Sequence, residues 1–334
     1  MTYTIKDVAR NANVSIATVS RILNGQTGYS PKTKEKVLKV INELGYHPNA
    51  VARGLINKRT HTIGVLFPYL TGSLVTGLLR GIEKAASAQS SSVIVCHTES
   101  DADKTMKYLK LLNEKRVDGI IFTSEVLQEE YYDFIKKMNV PIVLLSTKSD
   151  DYPIPYIKVD DFDAAYTATQ YLIQKGHKNI GMISGPKEDI IAGEPRVKGY
   201  MKALEDNYIK HNDKNVVYTV GFGFPEGKEG LASLLKQNPD ITALFAASDE
   251  IAIGAISTAY QMGIKIPEEL SIIGYDNTSL AEMSVPPLTT IAQPFSKMGE
   301  IAGNMLLNLL DGEGLPESRI VPHSVIERKS VKEK

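Results

Sequence analysis

Residues 4–23 of the chain read T-I-K-D-V-A-R-N-A-N-V-S-I-A-T-V-S-R-I-L, two short helical patterns joined by a turn. Thr4 and Ser15 each stand directly before a helical pattern, at the N-cap position that such residues favour. Asp7 is placed to complete a capping box with Thr4. Asn13 lies in the turn, where a residue that tolerates the left-handed conformation is needed. Two short helices joined by a turn of four residues predict a helix-turn-helix.

A third helix is predicted directly after this pair. It begins at Ser30-Pro31, with proline at the first helical position, and ends at Gly45. Its apolar residues combine with those of the first two helices into a small core, for which the sequence offers Val8, Val14, Val19, Ile22, Val37, Leu38, Ile41 and Leu44. A three-helix domain is therefore expected over residues 1–46.

The charge of the chain is divided unevenly between its two parts. Residues 1–60 hold ten Lys and Arg against three Asp and Glu, a net charge of +7, and the remaining 274 residues carry −8. Such asymmetry favours a basic module that meets a polyanion. On charge alone, a solvated lysine-rich helix explains the basic end equally well. The second helix favours DNA binding over a merely solvated helix, because its core residues lie on one face and leave the opposite face free to enter a groove.

In a helix-turn-helix the second helix enters the major groove, and its free side chains reach bases and phosphates. Arg21 is the side chain there that can bind guanine through two hydrogen bonds. The candidate DNA-binding residues of this domain are Thr4, Ser15, Ile16, Ala17, Thr18, Ser20, Arg21, Asn24 and Tyr29.

Residues 46–56, Y-H-P-N-A-V-A-R-G-L-I, form a second short helical pattern with a good N-cap at Asn49. Gly54 weakens the helix, and so short a segment is not stable alone in water. If the segment is helical, a contact outside it must stabilise the helix. The alternative is that the segment is an ordinary linker without helical structure. Residues 47–59 are therefore predicted as a short helix and linker, called the hinge segment below.

From Thr62 onwards short apolar runs alternate with helical stretches, in two successive sets. The runs are T-I-G-V-L-F, S-V-I-V-C, D-G-I-I-F and P-I-V-L-L, then P-Y-I-K-V-D, N-I-G-M-I-S, V-V-Y-T-V, T-A-L-F-A-A and S-I-I-G-Y-D. This alternation predicts an α/β fold of two doubly wound parallel-sheet lobes, with a crevice at the carboxyl ends of the strands.

The later segments return to complete each lobe. A helix over 295–310 and a strand over 319–328 are expected to do so. The predicted two-lobed domain therefore spans 60–334, with an N-lobe of about 60–159 and 292–320 and a C-lobe of about 160–291 and 321–334; the family resemblance given below implies that it binds the effector and forms the dimer.

Polar residues at the predicted strand ends are the candidates for lining the crevice. Asp249 and Asp276 follow two strands of the second set, and Arg196 lies near the start of a helix. Carboxylates accept from sugar hydroxyls and the arginine fork donates to them, while Phe222 offers a ring to stack on a sugar. Asp249 as a helix cap and Phe222 as a core residue are the alternatives. The full set of candidate effector-binding residues is Arg196, Phe222, Asp249, Asp276, Tyr69 and Thr123.

Several classes of protein are disfavoured. The chain has no phosphate-binding loop, no zinc motif and no dinucleotide fingerprint, and its six histidines are scattered, so no enzyme, cofactor or metal is expected. A single cysteine, Cys96, excludes an internal disulfide and fits a reducing cytoplasm. No apolar run is long enough to span a membrane, and no signal peptide opens the chain.

Two stretches carry a resemblance to a known family. I-K-D-V-A-R-N-A-N-V-S-I-A-T-V-S-R-I-L-N-G and E-K-V-L-K-V-I-N-E-L-G-Y-H-P-N-A-V-A-R-G-L resemble the LacI/GalR family of bacterial transcriptional regulators, and the similarity continues through nearly the whole chain. Asn13 departs from the family, which usually has glycine there. The resemblance implies a cytoplasmic repressor that binds palindromic operator DNA as a homodimer, with a tetramer as a further option, under the control of a small sugar-like effector.

The resemblance also assigns the hinge segment. In the family it folds only when two subunits meet on the operator, and a leucine matching Leu55 enters the minor groove. By the same matching Asn49, Ala52, Arg53 and Leu55 become DNA-binding residues, and Arg196, Phe222, Asp249 and Asp276 contact the effector.

Three departures concern partners. Leu74-Val75 stand in place of aromatics that often face the effector, and Ser146 replaces an aspartate of some members. Asn304 stands where catabolite control proteins place an arginine that helps bind a phosphorylated carrier protein, so that partner is not expected. The alternative function is a ligand-binding module of the periplasmic type without a DNA function, which the residues 1–60 signature argues against.

Overall fold

The computed structural model describes residues 3–23, 26–46, 59–69 and 73–334. The chain divides into two compact units, Met1–His61 and Thr62–Lys334. The first unit is helical and the second is α/β with two sheets. The predicted fold class is confirmed.

The first unit consists of three helices, α1 (Ile5–Ala12), α2 (Ile16–Leu23) and α3 (Pro31–Leu44). The predicted caps are formed at all three N-termini. The Thr4 backbone N–H and hydroxyl donate to the Asp7 carboxylate at 2.9 and 2.7 Å. The hydroxyls of Ser15 and Ser30 accept from backbone N–H groups three residues later, each at 3.1 Å.

The turn and the core of this unit follow from the same local rules. Asn13 adopts the predicted left-handed conformation, with φ 50° and ψ 50°, as does Gly45 at the end of α3. The core contains Val8, Ala9, Ala12, Val19, Ile22, Val37, Val40 and Tyr46. The prediction for Leu38 was wrong. Leu38 is 41% exposed, because the inward stripe of α3 runs through Val37 and Val40 instead.

The first lobe of the second unit is built on a six-stranded parallel sheet. Its strands stand in the order β11 (Arg319–Ile320), β5 (Tyr156–Lys158), β4 (Ile142–Leu145), β3 (Gly119–Thr123), β1 (Thr62–Phe67) and β2 (Ser92–His97). Its helices are α4 (Ser73–Ala88), α5 (Ala102–Lys115), α6 (Glu129–Met138) and α12 (Phe295–Leu310). The central strand β3 is buried at every position, as expected of a sheet covered on both faces.

The second lobe repeats this plan. Its strands stand in the order β12 (Ser324–Ile326), β10 (Thr289–Ala292), β9 (Ser271–Asp276), β8 (Ala243–Ala246), β6 (Ile180–Ser184) and β7 (Val216–Tyr218). Its helices are α7 (Asp161–Gln174), α8 (Gly193–Asp206), α9 (Phe224–Gln237), α10 (Asp249–Gln261) and α11 (Ser279–Met283). The edge strand β12 runs antiparallel to β10, a departure from the all-parallel expectation.

The chain passes between the two lobes three times. The crossings are the two residues between β5 and α7, the two between β10 and α12, and the three between β11 and β12. The single strand predicted over 319–328 is therefore two short strands, one in each sheet, because the chain changes lobes in the middle of it.

Glycines bring pairs of helices into backbone contact. A Cβ on Gly299 of α12 would stand 2.0 Å from the carbonyl oxygen of Leu78 on α4, and one on Gly81 would stand 2.0 Å from the oxygen of Ser296. In the second lobe Gly227 of α9 meets the backbone of Ile251 on α10 in the same way. At these glycines the two helices are too close together for a side chain to fit between them.

Candidate functional site

The second helix of the first unit has one buried face and one free face. Val19 is fully buried and Ile22 is 5% exposed, whereas Ile16 is 44% exposed and Ala17 and Arg21 are also exposed. The Arg21 guanidinium lies beside Gly28, where an added Cβ would be 3.6 Å from Nη1. The free face offers both apolar and cationic groups for contacts to base edges.

The hydroxyls predicted to contact phosphate flank this face. Ser15 Oγ and Thr18 Oγ1 share a hydrogen bond of 2.9 Å at the start of α2, and Thr4 is exposed at the start of α1. Ser20 and Tyr29 are partly buried. The other predicted DNA-binding residues lie outside the described residues; they are Asn24, Asn49, Ala52, Arg53 and Leu55.

In the second unit Arg196 is the centre of a buried cluster of charges. It lies on α8, is 7% exposed, and donates from Nε and Nη2 to Asp161 Oδ1 at 3.0 and 2.9 Å. Its Nη1 donates to the carbonyl oxygen of Ala247 at 2.6 Å, just beyond β8. Three of its five N–H groups are used in this way, and two remain for a ligand.

Asp161, the first residue of α7, connects this arginine to two further side chains. Its Oδ2 lies 3.2 Å from Lys158 Nζ, and its Oδ1 accepts from the Tyr275 hydroxyl at 3.1 Å. The Tyr275 ring stacks on the Arg196 guanidinium, with 3.8 Å from Cζ to the ring centroid. One carboxylate therefore holds two cations and a phenol in fixed positions.

Asp276 ends β9 beside this cluster. It has a φ of 113°, a conformation that costs a non-glycine residue strain energy. Its Oδ1 accepts from Gln293 Nε2 at 2.8 Å. Burial raises the pKa of Asp276 to about 8, with Arg196 opposing the shift and Asp249 adding to it. Burial thus favours the protonated form of this carboxyl group, which can donate as well as accept.

Asp249 lies inside the protein rather than at the crevice surface. It has no exposed surface, and its two oxygens accept from Thr290 Oγ1 at 2.5 Å and from the Thr278 N–H at 2.6 Å. Burial raises its pKa to about 6, against the effect of these hydrogen bonds. Asp249 thereby fixes the loop that carries Asp276, and the N-cap of α10 is Ser248.

The remaining predicted effector residues differ in exposure. The Phe222 ring lies against Gly185, where an added Cβ would be 2.2 Å from the ring. The centroid of the ring is 5.6 Å from the Arg196 guanidinium carbon. Tyr69 is 62% exposed beyond β1. Thr123 is 1% exposed and donates its hydroxyl to Leu66 O at 2.8 Å, so its hydroxyl is used within the sheet.

Four residues of this candidate site were not predicted from the sequence: Lys158, Asp161, Tyr275 and Gln293. Lys158 is the one for which a signal existed, because it interrupts an otherwise apolar strand. Asp161 was hidden in an acidic helix start, where carboxylates are ordinary. Tyr275 sits inside an apolar run and Gln293 in a connection, with nothing local to distinguish them.

A helix-turn-helix unit joined to a two-lobed binding unit defines a class, the DNA-binding transcriptional regulators with a periplasmic-binding-protein-like domain. Residues 4–49 match the family model described as bacterial regulatory proteins, lacI family, and residues 60–329 match periplasmic binding proteins and sugar binding domain of LacI family. The chain belongs to the lacI family of bacterial regulatory proteins.

Similar proteins extend over nearly the whole chain. Catabolite control protein A of Priestia megaterium is 39% identical over 99% of this chain and 100% of that protein. The HTH-type transcriptional regulator RegA of Clostridium saccharobutylicum is 38% identical over 99% of both chains. These relatives are transcriptional regulators, not enzymes, and the alternative of a binding module without DNA function is not favoured.

Solved structures agree in fold. The lac repressor dimer bound to operator and the anti-inducer ONPF has a TM-score of 0.89 at 29% identity, covering 99% of this chain and all of that one. The transcriptional regulator CelR in complex with cellobiose has a TM-score of 0.75 at 29% identity, covering 98% and 99%.

Two kinds of feature are absent from the described part of the chain. No helix there combines the length and apolar character that a membrane span requires. Within the same ranges no three His, Cys, Asp or Glu side chains are grouped so that they could hold a metal ion.

Proposed function

We propose that this regulator is a cytoplasmic repressor that binds a palindromic operator as a homodimer and responds to a small sugar-like effector. The observation that carries the proposal is the free face of α2, with Ile16, Ala17 and Arg21 exposed on a unit of net positive charge. The lac repressor, bound to operator in its own structure, has the same fold over the length of this chain.

In this proposal α2 lies in the major groove and Arg21 binds guanine. Thr4, Ser15 and Thr18 contact phosphates, with Ser20 and Tyr29 beside them. The segment 49–56 folds on DNA, and Leu55 opens a base step in the minor groove.

An exposed apolar surface on the second lobe supports the homodimer. Leu280, Met283 and Val285 are 41, 74 and 85% exposed, on α11 and the turn that follows it. Grouped apolar residues of this size on a surface favour a protein contact. A Met283→Lys, Val285→Asp variant is expected to shift the protein to monomer in sedimentation, and a wild-type protein that is itself monomeric would contradict the dimer.

The effector is proposed to bind between the lobes at the Arg196 cluster. The two free N–H groups of Arg196 and the Asp276 carboxyl face polyol hydroxyls, and the ring of Phe222 stacks on the sugar. Tyr69 contributes from the first lobe. Asp249 and Thr123 shape the site without direct contact, because their polar atoms are bonded within the protein. A sugar is supported by the CelR relative, whose structure contains cellobiose.

The experiment is an electrophoretic shift on the DNA upstream of the protein's own gene, repeated at rising salt. Binding through phosphates releases counterions and must weaken steeply with salt. A matched variant, Arg21→Ala, should lose preference for that DNA over random DNA. Absence of any shift at low salt would exclude the proposed function.

A further inference from the structure

The first lobe contributes one buried cation to the crevice. Lys158 ends β5 and is 8% exposed, and its Nζ lies 3.2 Å from Asp161 Oδ2. Within the described residues this is the single ion pair of that ammonium group. An ammonium group has three N–H donors, so at least two remain available beside the one that faces Asp161.

Two serine hydroxyls lie at the same level of the sheet as Lys158. Ser124 and Ser146 follow β3 and β4 and share the left-handed conformation, with φ 49° and 56°. Their N–H groups donate to Leu145 O at 3.0 Å and Ile157 O at 2.7 Å, which extends the strand pairing by one residue. Ser124, Ser146 and Lys158 therefore stand on three neighbouring strands, about 4.8 Å apart from one to the next.

Both serine Oγ atoms are buried and have no hydrogen-bond partner within the described ranges. A buried hydroxyl without a partner is unfavourable, and such atoms in a native protein call for an explanation. Each hydroxyl can rotate so that its hydrogen points towards a shared acceptor. The two serines and the Lys158 ammonium group would then form a set made only of hydrogen-bond donors.

The cations of the cluster outnumber the carboxylates bonded to them. Lys158 and Arg196 are cations, and Asp161 is the one carboxylate bonded to both. Burial raises the pKa of Asp276, which favours its neutral form. The nearby Glu125 is turned towards Thr98, whose hydroxyl donates to its Oε2 at 3.3 Å, and burial raises its pKa as well. Two cations therefore share one carboxylate.

We infer that the effector carries an anionic group, a phosphate or a carboxylate, bound by the Lys158 ammonium and the hydroxyls of Ser124 and Ser146. This inference rests on the proposed function and names the chemical class of its ligand. The polyol part lies on Arg196 and Asp276, and the anionic part on the strand ends of the first lobe. Asp161 is a positioning residue that holds both cations in place.

The test uses the full-length protein with inorganic phosphate and acetate as probes, each against chloride at equal ionic strength. Thermal unfolding and calorimetric titration are expected to show saturable binding. Lys158→Met should weaken that binding at least tenfold, the effect of losing one charged hydrogen bond. Stronger binding of phosphate points to a phosphate ester, and stronger binding of acetate to a sugar acid. The wild type and Lys158→Met have the same DNA-binding unit, so anion binding to that unit contributes equally to both titrations and does not affect their difference.

The matched control is Lys202→Met, which removes an exposed lysine paired with Glu205 and Asp206 and should leave anion binding unchanged. If Lys158→Met does not fold, the double variant Ser124→Ala, Ser146→Ala retains the ion pair to Asp161 and should weaken anion binding severalfold.

Absence of saturable binding, or equal binding by wild type and the folded variants of this site, overturns the inference. Operator binding by the anion-free wild type is measured in parallel. Its loss would refute the proposed function, whereas intact operator binding without anion binding that depends on these residues refutes the inference alone.

Discussion

Replacing Asp276 by asparagine tests the electrostatics of the crevice most directly. The Asp276→Asn side chain keeps an oxygen that accepts from Gln293 Nε2, now at 2.8 Å, but cannot ionise. In the wild-type protein burial raises the pKa of this carboxyl from 3.8 to about 8, with Arg196 opposing and Asp249 reinforcing the shift. The folded protein therefore holds a proton that the unfolded chain releases.

The magnitude follows from the linkage of protonation to folding. As the pH rises from about 4 to about 8, the unfolded chain ionises first, so the wild-type protein loses stability across that interval. Each pK unit corresponds to about 1.4 kcal/mol, and the interval from 3.8 to pH 7 amounts to roughly 4 kcal/mol. Part of the rise in the pKa of Asp276 comes from the charge of Asp249. The free energy of unfolding is therefore expected to increase by roughly 2–4 kcal/mol in Asp276→Asn at pH 7. Near pH 4 the two proteins should be equally stable.

The assay is urea unfolding of both proteins followed by circular dichroism, from pH 4 to pH 8.5. The difference in free energy of unfolding should grow with pH and level off above pH 8. Asp240→Asn, which removes an exposed carboxylate, serves as the control and should show no such growth. A difference that is constant with pH, or a variant less stable than wild type at pH 8, would refute the reasoning.

Four further changes have defined outcomes. Arg21→Ala should cost roughly 1–3 kcal/mol of discrimination between operator and random DNA in competition binding, and equal losses on both DNAs would make Arg21 a phosphate contact. Arg196→Ala should retain operator binding but lose release by the effector, as followed by fluorescence anisotropy; normal release would remove it from the site. Gly299→Ala should cost about 1–3 kcal/mol in urea unfolding, because its Cβ would meet the Leu78 backbone oxygen; an unchanged midpoint would contradict that contact. Leu55→Ala should weaken operator binding and DNA bending together, and amide exchange of 49–56 should slow only on DNA; protection in the free protein would contradict coupled folding.

The parts of the fold that depend on neighbouring residues were predictable from the sequence. The caps at Thr4, Ser15 and Ser30 and the turn at Asn13 involve groups three or four residues apart, and all are found as expected. The alternation of apolar runs and helices predicted both lobes for the same reason. The antiparallel edge strand β12 was missed, because strand direction at an edge depends on where the chain arrives from the other lobe.

The site was predictable only in part, because its contacts join distant segments. Arg196 and Asp276 were predicted from their place near helix starts and strand ends, and their contact with an effector stays a prediction. The bond from Arg196 to Asp161 spans 35 residues, and that from Tyr275 to Asp161 spans 114, so no local pattern announces them. For Asp249 the position was predicted but the burial was not, since burial depends on Thr278 and Thr290 folding over it.

The three short crossings between the lobes have a mechanical consequence. Any rotation of one lobe against the other must be taken up by backbone dihedrals within these seven residues. Lys158 and Asp161 flank the first crossing, and Gln293, which holds Asp276, lies in the second. The interactions between these side chains are therefore located at the crossing segments, where a rotation of the lobes would be centred. If one lobe rotates about these crossings, its far edge moves further than the residues at the crossings themselves.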